Sequence, residues 1–182
     1  MRKIMKLTIY WAIAVMTVST AFAQAQASTF QNPKIEELYT EDNRPELYCL
    51  AQNIYFEAKS EPLAGQYAVA DVVLNRVQDT RYPDTICKVV NQGKRYASGA
   101  MIRNKCQFSW YCDGKSDEVK DKKSYKKILD FANLIMHNSI KFVDITDGAT
   151  HYHADYVKPD WAKTKTRTTE IGDHSFYKWE KK

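Results

Sequence analysis

The sequence predicts an α+β domain that is mainly helical, with a central buried helix and short extended segments near its end. An amphipathic stripe runs from Leu47 to Ala58. The segment over residues 67–77 is apolar on almost every side, and the chain after Asp147 consists of short aromatic-rich pieces. A helix that is apolar all round is normally buried, so we expect this segment to form the centre of the fold.

The predicted helices follow from the spacing of apolar residues and from the residues at their boundaries. The first stripe repeats at the three- and four-residue spacing of one helix face, and Pro62 can open the second helix. Thr85 can cap a short helix that ends at Val90. A further helix is predicted where an apolar stripe runs from Tyr125 to Met136.

The remaining segments carry loop and strand patterns. Residues 91–105 are predicted to form an exposed basic loop. Gln107–Trp110 reads as a short extended segment between two cysteines, and Ala149–Ala154 and Ile171–Trp179 read as further extended pieces. No internal repeat is present, which indicates a single domain.

The first residues have the three-part layout of a secretory signal peptide. Three basic residues precede an uncharged stretch, and small residues then form two candidate cleavage sites, after Ala23 and after Ala27. We therefore expect removal of residues 1–23, or 1–27 with the later site, on export to the periplasm, the cell exterior or the cell wall. The alternative is a single membrane anchor that is never cleaved.

The composition is that of an ordinary globular protein, since 44% of the 182 residues are hydrophobic and 27% are charged. Residues 28–44 are polar and are predicted to be a linker or arm, so we expect the catalytic domain to span residues 45–182. Three of the 27 basic residues lie in residues 1–23, which leaves 24 against 22 acidic residues. This balance is too even for a dedicated nucleic-acid binder, and we expect no nucleic-acid partner.

Export would place the four cysteines in an oxidising compartment, where cysteines form disulfides. Four cysteines allow three pairings. Cys106 and Cys112 are near enough in sequence to close a small loop, which would leave Cys49 to pair with Cys87. Zinc binding is the alternative, but these spacings lack the Cys-x-x-Cys knuckle of structural zinc sites.

Glu57 is the first candidate for a catalytic role. It lies at the end of the first apolar stripe, beside Tyr55 and Phe56. A carboxyl group at the border of an apolar face loses hydration, which raises its pKa, and a raised pKa keeps a general acid protonated near neutrality. The alternative is an ordinary surface glutamate, because acids with perturbed pKa values are the exception.

His151 and His153 form a second candidate site. In a strand these two side chains face the same side. Two imidazoles could hold a zinc ion with a third ligand such as His174, which would suit an amidase or peptidase. The alternative is a pair of hydrogen-bonded structural histidines, and the His-Glu-x-x-His motif of zinc peptidases is absent from the sequence.

Aromatic and amide side chains are dense in the second half of the chain, as is typical of sites that bind carbohydrate. The alternative is that most of these rings belong to the core, where aromatic residues are common. The residues concerned are Trp110, Tyr111, Tyr152, Tyr156, Trp161, Tyr177 and Trp179, with Asn75, Gln107 and Ser109.

Five sequence blocks between Leu47 and Trp179 point to a family. They read LAQNIYFEAKSEPLAGQYAVADVVLNRV, YPDTICKVVNQ, CQFSWYCDG, GATHYHADYVKPDW and IGDHSFY. In this order they resemble the cell-wall hydrolases typified by the spore-cortex-lytic enzyme SleB, although the family's usual EARGEP is EAKSEP here. The resemblance implies a lysozyme-like fold and cleavage of the bond between N-acetylmuramic acid and N-acetylglucosamine in peptidoglycan, with Glu57 as the catalytic acid.

The resemblance leaves two reactions open. In a lytic transglycosylase Glu57 alone gives and then takes a proton, and this is the reaction we expect. In a muramidase water attacks with the help of a second carboxylate, for which Asp71, Asp113 and Asp155 are the candidates. A zinc-dependent amidase or peptidase and a non-catalytic wall-binding protein are the further alternatives.

Roles for other residues follow from the same resemblance. We expect Gln107, Ser109 and Tyr152 to hold sugar hydroxyls and N-acetyl groups. Asn75 would either join them or brace the central helix. His151 and His153 would orient the substrate-binding site. We expect no metal and no cofactor. The expected partner is the glycan strand of peptidoglycan, and the mature protein is expected to be a monomer without a membrane anchor.

Overall fold

The computed structural model describes residues 45–137 and 143–180. The predicted signal peptide, residues 1–23 or 1–27, and the predicted linker, residues 28–44, lie outside the described residues. Within the described ranges, no helix is long and apolar enough to cross a membrane.

Helices build the part of the domain that carries the predicted core. They are α1 (Pro45–Ala58), α2 (Leu63–Gln78), α3 (Ile86–Val90) and α4 (Lys122–Met136). As predicted, Thr85 caps α3, where its hydroxyl accepts the backbone N–H of Lys88 at 3.3 Å. Asp121 caps α4 in the same way and accepts the N–H of Ser124 at 3.0 Å. Side-chain oxygens at these positions stabilise helices because the first N–H groups have no partner within the helix.

The prediction of a central buried helix is confirmed. Val69, Val72 and Val73 of α2 are fully buried, and so are Leu50 and Ile54 of α1. Helix α1 contacts α2, α3 and α4. The apolar faces of these helices therefore meet in one core around α1 and α2, and burial of such side chains is the main source of stability in a domain of this kind.

Two sequence predictions in the middle of the chain are wrong. The predicted basic loop over residues 91–105 contains an antiparallel hairpin of β1 (Gly93–Arg95) and β2 (Met101–Cys106). The predicted extended segment at Gln107–Trp110 instead turns into a 3₁₀ helix over Ser109–Cys112. Both errors have one cause, since these short elements are set by hairpin pairing and by a neighbouring disulfide rather than by hydrophobic periodicity.

The last three strands of the described residues form a second antiparallel sheet, in the order β3-β5-β4. Its strands are β3 (His151–Ala154), β4 (Thr166–Ile171) and β5 (His174–Lys178), and a 3₁₀ helix over Asp160–Thr164 precedes β4. In the register, Tyr152 is opposite Phe176. Phe176 is fully buried and packs in a cluster with Ala68, Val72 and Ala149, which fixes the sheet against α2.

Both predicted disulfides are present. Cys49–Cys87 joins α1 to α3, and Cys106–Cys112 joins the end of β2 to the 3₁₀ helix that follows it. Closing the longer loop removes entropy from the unfolded chain, an effect of about 4 kcal/mol. The arrangement of helices and sheets confirms the α+β class.

Candidate active site

Glu57 lies near the carboxyl end of α1, where the helix meets strand β3 of the second sheet. The Tyr152 hydroxyl donates a hydrogen bond to Glu57 Oε2 at 2.9 Å. Burial raises the pKa of Glu57, and the Tyr152 hydrogen bond and the positive charge of Arg76 offset only part of this rise. Glu57 is therefore a carboxyl group that burial keeps protonated to higher pH than an exposed glutamate.

Arg76 places a buried positive charge beside this carboxyl group. The residue belongs to α2 and is only 4% exposed. Its Nε donates to the carbonyl of Thr150 at 2.7 Å, and its guanidinium lies over the rings of Tyr82 and Phe108 at 5.3 and 5.1 Å. These contacts fix the charge, which can stabilise the Glu57 carboxylate when the proton has been given away.

Two clefts meet at Glu57. The larger one has a volume of about 570 Å³. Its walls are the ends of α1 and β3, the 3₁₀ helix at residues 109–112 and the segments that follow β3. The lining residues include Phe56, Glu57, Ser109, Trp110, Asp113, Asp117, Tyr152, His153, Tyr156, Val157 and His174. Tyr156 is 84% exposed, so its aromatic ring is accessible to a ligand at the edge of this cleft.

The smaller cleft has a volume of about 200 Å³ and is also lined by Glu57. Glu57, Ser109 and Tyr152 line both clefts. The other lining residues of the smaller cleft are Arg76, Gln107, Phe108, His151 and Trp161. A linear polymer lying through both clefts would therefore pass directly over Glu57.

Contacts with α1 hold the cleft wall at residues 109–112 in place. Trp110 Nε1 donates to Asn53 Oδ1 at 3.2 Å, and the Trp110 ring stacks on Phe56 with a centroid separation of 4.6 Å. Together with the Cys106–Cys112 disulfide, these contacts fix the backbone that presents Ser109 and Gln107.

The structure brings six of the seven predicted site residues together. Glu57, Gln107, Ser109, Tyr152, His151 and His153 all line one or both of the clefts. Asn75 lines a separate cavity of about 390 Å³. Its amide nitrogen donates to Asp144 Oδ2, Thr146 Oγ1 and the carbonyl of Ala149, at 3.1 to 3.2 Å. These bonds match the bracing role that was the alternative for Asn75.

The two strand histidines sit in different hydrogen-bond settings. His153 Nδ1 lies 2.8 Å from the carbonyl of Ala154, and its Nε2 lies 3.0 Å from the Tyr177 hydroxyl. A carbonyl only accepts, so Nδ1 carries a proton and donates it, and in the neutral ring Nε2 then accepts from the Tyr177 hydroxyl. Burial lowers the pKa of His151 to about 3, with help from the charges of Arg76 and two other cations, so this ring is neutral.

A three-ligand metal site of the kind considered for His151 and His153 would need further donors close by. In residues 45–137 and 143–180, no three or more His, Cys, Asp or Glu side chains are grouped so that they could hold a metal ion. His151 Nδ1 also lies 3.0 Å from the hydroxyl of Thr150, so this nitrogen already has a partner.

Sequence reasoning missed two contributors to the site. Arg76 lies in the apolar helix α2, and a charged residue in such a helix is itself a signal that it has a buried partner. His174 was considered as a third zinc ligand, but the structure places its ring on the wall of the larger cleft, against Tyr152. Only the pairing of β5 with β3 brings His174 there.

Comparison with known proteins assigns the chain to a family. The sequence profile of the Cell Wall Hydrolase family matches residues 60–177. The chain belongs to the Cell Wall Hydrolase family. The matched segment begins just after Glu57 and includes the residues outside α1 that line the two clefts. Spore cortex-lytic enzymes are among the relatives: that of Halalkalibacterium halodurans is 28% identical over 132 residues, and that of Bacillus cereus is 28% identical over 134 residues.

The chain spans only part of these relatives' length, although it matches most of a solved catalytic domain. The two alignments cover 72% and 73% of this chain but 34% and 44% of the relatives. The catalytic domain of the germination-specific lytic transglycosylase SleB from Bacillus anthracis is 27% identical, with a TM-score of 0.53 over 77% of this chain and 97% of that domain. The SleB catalytic domain of Bacillus cereus is 25% identical, with a TM-score of 0.51 over 84% of this chain and 99% of that domain. This likeness confirms the expected lysozyme-like fold.

Proposed function

We propose that this member of the Cell Wall Hydrolase family cleaves the glycan strands of peptidoglycan as a lytic transglycosylase, with Glu57 as its general acid. One observation carries the proposal. A carboxyl group whose pKa is raised by burial lies where two clefts meet, and a tyrosine hydroxyl holds it in place. The similarity to the catalytic domain of the lytic transglycosylase SleB supports this reaction type, and membership of the Cell Wall Hydrolase family supports a cell-wall substrate.

The proposed reaction starts with proton transfer from Glu57. Its carboxyl group protonates the glycosidic oxygen while the bond from that oxygen to C1 of the N-acetylmuramic acid residue breaks. Positive charge develops at C1, and Glu57 is left as a carboxylate. The hydrogen bond from Tyr152 and the charge of Arg76 favour this ionised form, which lowers the barrier to proton transfer.

The second step returns the proton to Glu57. The carboxylate takes the proton of the C6 hydroxyl of the same muramyl residue as the C6 oxygen bonds to C1. The product is a 1,6-anhydro end, no water is consumed, and Glu57 is protonated again for the next turnover. A single acid suffices for both steps, as expected from the lytic transglycosylase resemblance.

Substrate contacts in the two clefts are proposed as follows. Ser109 and Tyr152 line both clefts at the scissile bond, and Gln107 lines the smaller one. Tyr156 at the edge of the larger cleft and Trp161 in the smaller cleft offer ring faces for apolar sugar faces. We include His151 and His153 as residues that orient these walls, and we leave Asn75 out because its amide braces the loop at residues 144–149.

A muramidase is the second candidate, because one specific observation favours it. Of the predicted second carboxylates, Asp113 lines the larger cleft together with Glu57, while Asp71 and Asp155 line neither of the two clefts. Asp113 accepts the backbone N–H of Lys115 at 2.8 Å and pairs with the Lys115 side chain at 3.6 Å. An ionised Asp113 could activate a water molecule, which would give a reducing end.

The decisive experiment is digestion of purified peptidoglycan with and without a chelator, followed by mass spectrometry of the released fragments. Muropeptides with 1,6-anhydro ends support the transglycosylase. Reducing muramyl ends support the muramidase and make Asp113 the next residue to change. Free stem peptides that disappear with the chelator would overturn both glycosidase proposals in favour of the histidine-based amidase, and binding without release would indicate a wall-binding protein.

Export to the periplasm, the cell exterior or the cell wall remains part of this proposal, since the substrate lies outside the membrane. Two disulfides within the described chain are consistent with an oxidising compartment. Edman sequencing of the protein recovered from producing cells tests the prediction, and we expect the mature chain to begin at residue 24 or 28.

A further inference from the structure

The larger cleft contains a histidine that the proposed reaction does not use. His174 begins strand β5, and its ring meets the Tyr152 ring edge-on, with centroids 5.1 Å apart and an interplanar angle of 89°. Tyr152 is the residue that donates to Glu57. The His174 ring therefore contacts the residue that holds the proposed acid, and it lies on the wall of the same cleft.

The two edges of the His174 ring face different surroundings. Its Nδ1 is shielded from solvent and has no hydrogen-bond partner, and the carboxylate oxygen Glu61 Oε1 lies 3.9 Å away. The side chain nevertheless keeps 10% of its surface exposed. Because Nδ1 is shielded, the exposed surface belongs to the rest of the ring, whose far edge carries Nε2.

Glu61 is fixed where it faces His174. Its Oε2 accepts the backbone N–H of Asp173 at 3.1 Å, which ties the turn between α1 and α2 to the turn before β5. Gly172 has a φ of 59°, and a Cβ placed there would overlap Glu61 Oε2. A Cβ at Gly65 would lie 2.9 Å from the same oxygen. The carboxylate thus lies close to two glycines, and a side chain at either position would have to displace it.

The position of Glu61 determines which ring nitrogen of His174 carries the proton. A carboxylate accepts hydrogen bonds and repels the lone pair of a neutral imidazole nitrogen, so Glu61 favours the form in which Nδ1 carries the proton. Burial lowers the pKa of His174, although Glu61, Asp173 and Asp155 act in the opposite direction. The nearby His153 adds to the lowering. The ring is then neutral at neutral pH, with Nε2 as a hydrogen-bond acceptor.

We propose that His174 is a substrate-binding residue of the larger cleft, whose Nε2 accepts a hydrogen bond from the sugar next to Glu57, and that Glu61 holds it in this form. This inference rests on the proposed glycosidase function. The donor is an acetamido N–H or a hydroxyl, since these are the donors that a peptidoglycan sugar offers. In this account Glu61 is a positioning residue that does not touch the substrate.

Kinetics on peptidoglycan provide the first test. His174→Phe keeps a ring of similar shape against Tyr152 but removes Nε2, and loss of one hydrogen bond should raise KM roughly three- to tenfold with a smaller change in kcat. Glu61→Gln keeps an oxygen for the Asp173 N–H and should raise KM by less. The matched control is His137→Phe, at the exposed end of α4. Unchanged KM in both the His174 and the Glu61 variants would overturn the proposal.

Nitrogen NMR provides a test that does not depend on activity. In ¹⁵N-histidine-labelled protein carrying Glu57→Gln, long-range ¹H–¹⁵N spectra report which ring nitrogen of His174 is protonated. We expect the Nδ1–H form, and a shift toward Nε2–H when Glu61→Gln is added. Finding Nε2–H in the parent protein would overturn the assignment, whatever the enzyme does to peptidoglycan.

Adding sugars to the same sample identifies the donor. The probes are the trimer of N-acetylglucosamine and cellotriose, which has a hydroxyl in place of each acetamido group. A change in the His174 Nε2 shift with the first sugar alone assigns the acetamido N–H, and a change with both assigns a hydroxyl. No change with either, at concentrations where the fluorescence of the cleft tryptophans has saturated, contradicts the proposal. A wild-type protein that releases no fragments would instead refute the glycosidase function.

Discussion

Two carboxyl groups, those of Glu57 and Asp71, have raised pKa values with the same main cause but lie in different surroundings. Burial raises the pKa of each. Glu57 is half-buried at the meeting point of two clefts, whereas Asp71 is 4% exposed and lines neither cleft. Asp71 Oδ2 accepts the backbone N–H of Ile145 at 3.0 Å, which ties α2 to the loop before β3.

Burial is the main reason why the pKa of Asp71 reaches about 7, and the neighbouring Asp144 adds to the rise. Burial acts to raise the pKa of Asp144, but hydrogen bonds from Thr146, Gly148 and Asn75 outweigh it and lower that pKa. Asp144 therefore keeps the negative charge, and repulsion from it adds to the effect of burial on Asp71. The proton on Asp71 belongs to a network that holds the loop.

This difference shows what a raised pKa can and cannot indicate. Desolvation alone makes a carboxyl group reluctant to ionise, and both residues satisfy that condition. A general acid must in addition reach a substrate, and only Glu57 lies in a cleft. Access to the cleft, rather than the pKa, separates the candidate catalytic acid from the structural one.

The largest expected effect is that of removing the acid itself. Glu57→Gln keeps the size and polarity of the side chain but cannot donate the proton, so the rate of fragment release should fall by roughly 10²- to 10⁴-fold. Release of soluble fragments from peptidoglycan measures this, and thermal unfolding should stay close to the wild type. Asp71→Asn is the matched control and should keep most of the activity. Loss of activity in Asp71→Asn with retention in Glu57→Gln would reverse the comparison.

The next effect concerns the stability of the Asp71 region. Asn75→Ala removes the amide N–H donors that lie within hydrogen-bond distance of three acceptors in the loop at residues 144–149. Acceptors left without a donor in a half-buried site should cost about 1–3 kcal/mol in the free energy of unfolding. Urea unfolding measures this loss. Activity per folded molecule should change little, and a large rise in KM at unchanged stability would instead make Asn75 a substrate contact.

A smaller effect should follow from changing the partner of Glu57. Tyr152→Phe removes the hydrogen bond that favours the carboxylate, so the pKa of Glu57 should rise. Activity that needs protonated Glu57 falls as pH rises through this pKa, and the variant should therefore retain activity to higher pH. The alkaline limb of the kcat/KM profile against pH, where activity falls, measures this change. Tyr177→Phe, which removes a nearby hydroxyl that bonds His153, should leave the limb where it is.

The smallest effect is on the pH dependence of stability. Asp71 has a raised pKa in the folded state, so its contribution is complete below the unfolded value near 4 and is lost as pH rises through about 7. Asp71→Asn imitates the protonated form at every pH. Between pH 5 and pH 8 the melting temperature of the wild type should therefore fall relative to that of the variant. Parallel curves would show that Asp71 is ionised throughout.

Much of the helical part of the fold could be predicted from the sequence, because periodicity reports directly on which face is buried. The stripe of α1, the apolar length of α2 and the Thr85 cap of α3 all appear where expected. Strand β4 was not predicted. Its sequence, TRTTEI, has little apolar content because the strand lies at the edge of its sheet.

The candidate site was only partly predictable for a different reason. Glu57 carries a local signal, an acid beside two aromatic residues at the end of an apolar stripe. The contacts that define its setting are long-range, since Tyr152 is 95 residues away in the sequence. Arg76 and His174 likewise reach the clefts through the packing of α2 and the pairing of β5 with β3, which no local pattern encodes.

Titration of the Glu57 side chain measures whether burial at the junction of the two clefts makes this residue the general acid. Carboxyl ¹³C NMR of labelled protein, with Glu57 assigned through Glu57→Gln, gives its pKa for comparison with the alkaline limb of the activity profile. We predict that the two coincide, above the ordinary glutamate value near 4.3, and that both move upward together in Tyr152→Phe. An ordinary pKa for Glu57, or a limb that moves with Asp71→Asn instead, would contradict the account.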